Sequence, residues 1–324
     1  MKYTLLGHSG LNVSRICLGC MSFGDPAQGM HSWTLDQTRT TEIIAHALDK
    51  GINFFDTAMG YQNGTSEIYT GHALRSLAPR DRYVLATKFF PRPSAEITAR
   101  THIENCLNAS LKRLGTDYVD LYILHMWDYS TPIEETLEAL HRSVTAGKVR
   151  AIGVSNCFAW QLALANAAAE QHGWTRFTSV QGHHNLIFRE EEREVLPCCK
   201  AENVALTPYS ALAAGRLCRL PGETTQRLEK DAFAKGKYDH AEAQDEIIIR
   251  RVHEIADSRG VSMTQIALAW LLTKVDSPVT GATRPAQIDD AAAATEIALT
   301  PDEIAFLEEP YQPHRLVGVM AQNR

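Results

Sequence analysis

The stretch INFFDTAMGY, residues 52–61, contains an apolar run that ends on a carboxylate, Asp56. The same pattern, a short strand-like apolar run followed by a polar residue, recurs along the chain at intervals of 25 to 37 residues, about the length of one strand–helix unit. The six polar residues that end these runs are Asp56, Lys88, His125, Asn156, Gln181 and Tyr209. Parallel strands bring their carboxyl ends to one rim, where α/β folds place their chemistry. The spacing therefore predicts that these six side chains gather there.

Eight candidate strands are apolar almost throughout, which is typical of strands buried on both faces of a parallel sheet. They span residues 16–19, 53–56, 83–88, 119–125, 151–155, 177–181, 204–207 and 278–280. Helical patterns fill the intervals, and residues 2–6 and 11–13 predict a short β-hairpin ahead of the first barrel strand. We therefore predict an α/β fold of one domain, residues 1–324, built as a (β/α)8 TIM barrel with an N-terminal hairpin. The rival fold, an open doubly wound sheet, would show a G-x-G-x-x-G signature that this sequence lacks.

Local signals place several helix starts and one long connection. Thr131, Ser262 and Thr300 each precede a helical pattern with the spacing of a capping residue. After the seventh predicted strand, residues 210–241 form the longest stretch without a regular pattern. A loop of that length in a compact domain usually serves as a lid or a binding loop. We expect this one to leave the rim that carries the chemistry.

The composition is that of a globular protein and excludes several classes of partner. Hydrophobic residues make up 44% of the chain, and the net charge is −6, with no Lys/Arg block to bind nucleic acid. No apolar run approaches the ~18 residues of a membrane span, and the first residues do not resemble a signal peptide. We therefore expect a cytoplasmic protein with seven reduced cysteines. No metal site is expected, since Cys17-x-x-Cys20 has no second pair, and the oligomeric state stays open.

Four residues near the predicted rim suit the delivery of a proton to an oxygen: Asp56, Tyr61, Lys88 and His125. A tyrosine at its usual pKa of ~10 is a poor acid at neutral pH, and an adjacent ammonium group such as that of Lys88 lowers that pKa. Asp56 can pair with Lys88, and His125 can hydrogen-bond to a carbonyl oxygen and orient it. Reduction of a carbonyl group needs such a set, with hydride supplied by a nicotinamide.

Seven segments resemble, in order, the motifs of the aldo-keto reductases: NFFDTAMGY, VLATKFF, LYILHMW, IGVSN, VQGHHNL, TPYSALAAGRL and VTGATRPAQIDDA. The resemblance covers about residues 5–307, and segments such as MWDYSTPIEETLEAL are similar to the bacterial-type branch of that family. It implies a (β/α)8 barrel and NADPH-dependent reduction of an aldehyde or ketone, sugar-like and phosphorylated carbonyls included. By the same resemblance Tyr61 would be the general acid, tuned by Lys88 and Asp56. His125 would orient the carbonyl.

The resemblance also implies a cofactor site and a substrate pocket. The cofactor residues would be Gly19, Met21, Asp56, Ser155, Asn156, Gln181, Tyr209, Ser210, Leu212, Gly215, Arg216, Gly281, Thr283, Arg284, Gln287 and Asp290. Of these, Tyr209 would stack on the nicotinamide, and Thr283 and Arg284 would hold a 2′-phosphate. A guanidinium fork beside a helix start suits a phosphate, so NADP(H) is expected, with NAD(H) as the alternative. A small-molecule carbonyl substrate would contact Trp33, Tyr61, Phe90, His125 and Trp127.

Two segments depart from the family pattern. The adenine segment often ends Glu-Asn in the family, whereas this chain has Asp290-Ala291. The loop after Tyr209 reads GRLCRLPG and lacks the usual lysine, which leaves Arg216 or Arg219 to replace it. Arg92, Arg189 and Arg216 are also the candidates to meet an anionic substrate.

Two other functions fit the same motifs. One is a non-catalytic subunit that senses nicotinamide cofactors, which would carry a damaged set of four residues or a large added segment; the sequence has neither. The other is redox-neutral isomerisation or dehydration of a sugar phosphate at the same site. Carbonyl reduction is the function that we favour from the sequence.

Overall fold

Eight parallel strands form a barrel at the centre of the computed structural model, which describes residues 1–323 apart from the side chains of residues 226 and 227. The barrel strands are β3 (Cys17–Gly19), β4 (Phe54–Asp56), β5 (Val84–Phe89), β6 (Val119–Leu124), β7 (Val149–Ser155), β8 (Phe177–Gln181), β9 (Ala205–Leu206) and β10 (Val279–Gly281). Their order in the sheet is β10-β3-β4-β5-β6-β7-β8-β9. The backbone N–H of Val279 donates to the carbonyl of Pro208 at 2.9 Å and so joins the two ends of that order. The (β/α)8 barrel is thus confirmed, with each strand within two residues of its predicted bounds.

An antiparallel hairpin of β1 (Tyr3–Leu5) and β2 (Asn12–Ser14) plugs the amino-terminal end of the barrel. Val13 is fully buried in the same apolar cluster as Phe54, whose side chain belongs to the barrel interior. The side chain of Asn53, just before β4, accepts a hydrogen bond from the last residue of β2 at 2.7 Å. The hairpin thereby fills one end of the barrel and leaves the carboxyl ends of the strands for the chemistry.

In the described residues, one α-helix lies between each two successive barrel strands from β3 to β9, four lie between β9 and β10, and two follow β10. The α-helices are α1 (Gln37–Asp49), α2 (Thr65–Leu77), α3 (Ala99–Leu114), α4 (Ile133–Thr145), α5 (Ala159–His172), α6 (Val195–Ala201), α7 (Gln226–Lys230), α8 (Ala232–Tyr238), α9 (Glu242–Arg259), α10 (Met263–Leu272), α11 (Pro285–Ala294) and α12 (Pro301–Glu308). Ser262 and Thr300 cap α10 and α12, as predicted. The cap predicted at Thr131 is wrong, because α4 begins one residue later and Pro132 occupies the cap position with no side chain to bond.

The connection after β9, predicted as an irregular loop, contains short helices. A 3-10 helix at Ala213–Cys218 is followed by α7, α8 and a second 3-10 turn at Asp239–Ala241. The side chain of Asp231 accepts a hydrogen bond from the backbone of Ala234 at 2.9 Å and starts α8, and Tyr238 at its end is buried. The sequence pattern missed α8 because a helix of seven residues is too short to display a periodic apolar stripe.

Helices α2 and α3 approach so closely at Gly71 that a side chain there would overlap the backbone of Leu114. We expect Gly71→Ala to destabilise the protein by about 1–3 kcal/mol through overpacking, although alanine favours a helix by about 1 kcal/mol over glycine. Gly236→Ala in α8 is the matched control, since a methyl group there meets no atom of the described residues within 4 Å. The free energy of unfolding in urea measures both. Equal effects of the two substitutions would contradict the overlap at Leu114.

Candidate active site

The six polar residues that end the strand-like runs converge at the carboxyl rim of the barrel. Lys88 on β5 reaches Asp56 at the end of β4, and Gln181 at the end of β8 reaches the same carboxylate. On the other side, Asn156 bonds to the backbone of His125 and to Tyr209. The convergence predicted from the spacing is confirmed, because parallel pairing puts every strand end at one rim.

Lys88 and Asp56 form a buried ion pair beneath Tyr61. The Lys88 side chain is fully buried, and its Nζ lies 2.5 Å from Oδ1 of Asp56. The same ammonium donates to the carbonyl of Thr57 at 2.8 Å and to the Tyr61 hydroxyl at 3.3 Å. Oδ2 of Asp56 accepts from Nε2 of Gln181 at 3.0 Å. The three donor sites of the ammonium therefore have acceptors, and one of these acceptors is the phenol.

The electrostatics of the pair differ from the expectation for the phenol. Burial raises the pKa of Tyr61 above its ordinary value, and the Lys88 cation, which lowers it, offsets only part of that effect. Burial lowers the pKa of Lys88, but Asp56 and Tyr61 together raise it by more than burial lowers it. The pKa of Lys88 therefore lies above its ordinary value. The prediction of a phenol more acidic than usual is not met in this structure. Tyr61 is protonated at neutral pH, and Lys88 is charged.

His125 faces Tyr61 across the rim. The two rings lie edge to face with centroids 5.8 Å apart, and the Phe90 ring stacks on the imidazole at 4.8 Å. Burial, assisted by the Lys88 cation, lowers the pKa of His125 well below its ordinary value. The imidazole is therefore neutral at pH 7 and donates from one ring nitrogen only.

An amide and hydroxyl cluster occupies the opposite part of the rim. Asn156, in a left-handed conformation with φ of 56°, donates from Nδ2 to the carbonyl of His125 and to Oγ of Ser155, both at 2.9 Å. Its Oδ1 accepts from the Tyr209 hydroxyl at 2.9 Å. The Ser155 hydroxyl donates to the carbonyl of Gln181 at 2.9 Å. These predicted cofactor residues are thus adjacent and already bonded to one another.

The segment before α11 carries the predicted 2′-phosphate residues. Arg284 is exposed at the N-cap of α11. Oε1 of Gln287 accepts from the backbone of Thr283 at 2.8 Å and of Arg284 at 3.1 Å, and so shapes the turn. Asp290 lies one turn further on and accepts from Ser262 at 2.9 Å, at the start of α10. Its carboxylate therefore links two helices.

The connection after β9 carries the remaining predicted cofactor residues on that side. Ser210 has φ of 57° and Gly215 has φ of 98°, which gives the backbone a sharp path at the start of the connection. Leu212 is the N-cap of the 3-10 helix that follows. Arg216 pairs with Asp239 at 2.5 Å, and its Nη1 is buried without a hydrogen-bond partner among the described residues.

The other predicted residues lie around the rim. Gly19 and Gly281 end adjacent strands and pair in register, and Met21 follows in the 3-10 turn Cys20–Ser22. Trp33 is partly buried beside His31, with ring centroids 4.8 Å apart. Trp127 is partly buried against the apolar core.

Three contacts at the site were not predicted from the sequence. His183 stacks on Tyr209, with ring centroids 5.4 Å apart, and Nζ of Lys237 lies 4.5 Å from the centroid of the same ring. Asn323, near the end of the chain, donates to the backbone carbonyl of Asn156 at 3.1 Å. Because the partners are between 26 and 167 residues apart in the chain, only tertiary packing brings them together.

Residues 1–323 contain neither a membrane-crossing helix nor a cluster for a metal ion. No helix of that part of the chain combines the length and apolarity that a membrane crossing needs. In the same residues, no group of three or more His, Cys, Asp or Glu side chains is arranged to hold a metal ion.

Known proteins share both the sequence and the fold. The model of the aldo/keto reductase family matches residues 15–312. Versiconal hemiacetal acetate reductase from Aspergillus parasiticus is 40% identical over 97% of this chain and 98% of its own length. A putative aryl-alcohol dehydrogenase of Saccharomyces cerevisiae, AAD16, is 37% identical over 97% of this chain and 98% of its own.

Among solved structures, the thermostable aldo-keto reductase Tm1743, determined with the inhibitor epalrestat, superposes with a TM-score of 0.78 at 28% identity. The alignment covers 96% of this chain and 100% of that one. One family assignment follows from the barrel, the motifs around its rim and these matches. The chain belongs to the aldo/keto reductase family and is an NAD(P)H-dependent oxidoreductase.

Proposed function

We propose that this chain reduces an aldehyde or ketone with NADPH and that Tyr61 is the general acid. One observation carries the proposal: the Tyr61 hydroxyl lies 3.3 Å from Nζ of the buried Lys88, and its ring lies edge to face with that of His125. No observation favours redox-neutral isomerisation or a sensing subunit. The test is to follow NADPH oxidation with a panel of aryl aldehydes, ketones and sugar phosphates. If none of these compounds is reduced, the proposal fails.

The residues present fit a nicotinamide dinucleotide. A buried Nη1 of Arg216 without a partner among the described residues suits a phosphate oxygen, since guanidinium groups form charge-assisted bonds to phosphate. Ser155, Asn156 and Gln181 offer the hydroxyl and amide groups that a carboxamide needs. When bound, the reduced nicotinamide supplies the hydride. Nδ2 of Asn156 already donates to His125 and Ser155, so a carboxamide oxygen has to displace one of these acceptors to bind there. Oδ1 of Asn156 and Oγ of Ser155 can each accept one more hydrogen bond.

The protein residues manage the charge that develops on the carbonyl oxygen. His125, neutral at pH 7, can donate one N–H to that oxygen and orient it. Tyr61 then gives its hydroxyl proton to the oxygen as the alkoxide forms. The resulting phenolate is stabilised by the Lys88 ammonium, 3.3 Å from the phenol oxygen. Asp56 keeps that ammonium charged and in place.

An uncharged aromatic carbonyl fits the site better than a sugar phosphate. Phe90 stacks on His125 and is 37% exposed, so an apolar face borders the carbonyl-binding group. Arg92 donates to backbone carbonyls at 3.1 and 3.2 Å, and Arg189 pairs with Glu192 and Glu308. Arg189 is therefore committed to the protein, whereas Arg92 keeps a buried Nε without a hydrogen-bond partner among the described residues. The relative in Saccharomyces cerevisiae described as a putative aryl-alcohol dehydrogenase supports the same substrate class.

Arg284→Ala is expected to weaken NADPH binding about 10–100-fold and to leave NADH binding unchanged. The physical reason is the loss of a charge-assisted bond to the 2′-phosphate, which contributes about 1.5–3 kcal/mol. Titration of each cofactor by fluorescence measures the two dissociation constants. Arg250→Ala is the control, because Arg250 is an exposed arginine paired with Glu246 on α9. An unchanged NADPH-to-NADH ratio in the Arg284 variant would place the 2′-phosphate elsewhere.

A further inference from the structure

Gln62, the residue directly after Tyr61, is a buried amide with a strained backbone. Gln62 is only 2% exposed. Its φ is 47°, and the φ of the next residue, Asn63, is 53°. Residues other than glycine adopt this left-handed region at some energetic cost and persist there when their surroundings hold them. The contacts of the Gln62 side chain show what holds it.

The Gln62 amide binds one loop, residues 25–34, which leads from β3 to α1. Its Nε2 donates to the carbonyls of Asp25 at 3.0 Å and of His31 at 2.9 Å, lies within reach of Oγ1 of Thr34 at 3.3 Å, and also contacts the carbonyl of Gln28. Its Oε1 accepts from the backbone of His31 at 3.0 Å. One NH2 group has two protons, so more acceptors converge on it than it can serve at once.

The loop has few apolar contacts of its own. Residues 26–30 are all exposed, Met30 to 82%. Loops with little buried surface open at low free energy, so the bonds to Gln62 are a main restraint on this one. The loop also carries Trp33, whose ring lies 4.8 Å from that of His31. Gln62 therefore connects the loop that carries a candidate substrate-binding aromatic residue to the proton donor Tyr61, its neighbour in the chain.

We propose that Gln62 is a positioning residue that holds the 25–34 loop against the active site and thereby sets the preference for bulky aryl carbonyls. The proposal rests on the carbonyl reduction proposed above. The loop forms a wall for the part of the substrate that does not react. Loss of such a wall removes contacts that stabilise the bound substrate and the transition state equally. KM therefore rises while kcat is unchanged. A small aldehyde that does not reach the wall is unaffected.

The test compares Gln62→Met, which keeps the length of the side chain but removes the amide, with Gln28→Ala. Gln28 lies in the same loop, and its side chain makes an exposed bond to Asp25 at 2.9 Å. In Gln62→Met we expect KM for a bicyclic aryl aldehyde to rise at least about 10-fold, or about 1.4 kcal/mol, with kcat retained. Kinetics with a three-carbon aldehyde and the dissociation constant of NADPH stay within about 3-fold. Gln28→Ala matches the unmodified protein.

Amide hydrogen exchange of residues 25–34 gives a second measurement that needs no turnover. Exchange there is expected to rise in Gln62→Met and not in Gln28→Ala. Unchanged exchange would overturn the proposal, because Gln62 would then not hold the loop. An equal kinetic loss with both aldehydes would also overturn it, because Gln62 would then act through Tyr61 alone. If the unmodified protein reduces no carbonyl, the proposed function fails while exchange still decides whether Gln62 holds the loop. Should Gln62→Met not fold, Gln62→Asn, with an amide one methylene shorter, replaces it.

Discussion

Replacing Tyr61 by phenylalanine is expected to lower kcat for carbonyl reduction by about 10²–10⁴-fold, the usual contribution of a general acid. The substitution removes one hydroxyl, which lies 3.3 Å from Nζ of Lys88, and leaves the ring that packs against His125. Cofactor affinity is expected to persist. Steady-state kinetics and a fluorescence titration with NADPH measure the two quantities separately.

The matched control is Tyr118→Phe. The Tyr118 hydroxyl accepts a hydrogen bond from Arg150 at 2.8 Å. Tyr118 lies just before β6 and therefore at the end of the barrel opposite the active site. Loss of this hydroxyl should leave kcat unchanged. Full turnover in Tyr61→Phe would assign the proton to another donor, and a parallel loss of NADPH affinity would indicate a structural effect.

Lys88→Met is expected to lower kcat for reduction by a similar factor of about 10²–10⁴ and to shift the pH dependence of the reverse reaction. The Lys88 cation lowers the pKa of Tyr61, whereas burial and Asp56 raise it. Without the cation, the pKa of Tyr61 rises further. Alcohol oxidation needs the phenolate as a base, so its rate should begin to increase at higher pH. Rates of both directions across the pH range measure the shift.

The substitution also breaks a fully buried ion pair. Removing one partner of such a pair costs about 3–5 kcal/mol of stability, so the free energy of unfolding has to be measured alongside the rates. Asp56→Asn is the informative companion, because it leaves the ammonium buried without its carboxylate partner. A pH profile for oxidation that does not move in Lys88→Met would contradict the role given to the ammonium.

The barrel and the composition of its rim follow from local sequence. Runs such as the one before Asp56 are apolar on both faces, which is a property of the residues themselves. Their regular spacing leaves room for one helix between strands. Once the strands are parallel, the residues that end them have to share a rim, so the neighbours Lys88, His125 and Asn156 could be predicted without coordinates.

The burial of Tyr61 and the hydrogen-bond partners of Asp290 could not be predicted from local sequence. The prediction for Tyr61 considered the ammonium beside the phenol but not the desolvation that outweighs it. Asp290 was matched to an adenine contact by its place in a motif, and the motif gave no sign that its carboxylate bonds to Ser262, 28 residues away. Each outcome depends on atoms that are remote in the chain.

Sequence alone was sufficient for the fold, the family and the four-residue set, because periodicity, strand length and residue type act over short distances along the chain. The tertiary structure was needed to show that burial raises the pKa of Tyr61 more than the Lys88 cation lowers it, that the Asn156 amide is already bonded on both sides, and that Gln62 restrains the loop at residues 25–34. Desolvation and hydrogen-bond competition depend on every neighbouring atom in space, and those neighbours are chosen only when the chain has folded.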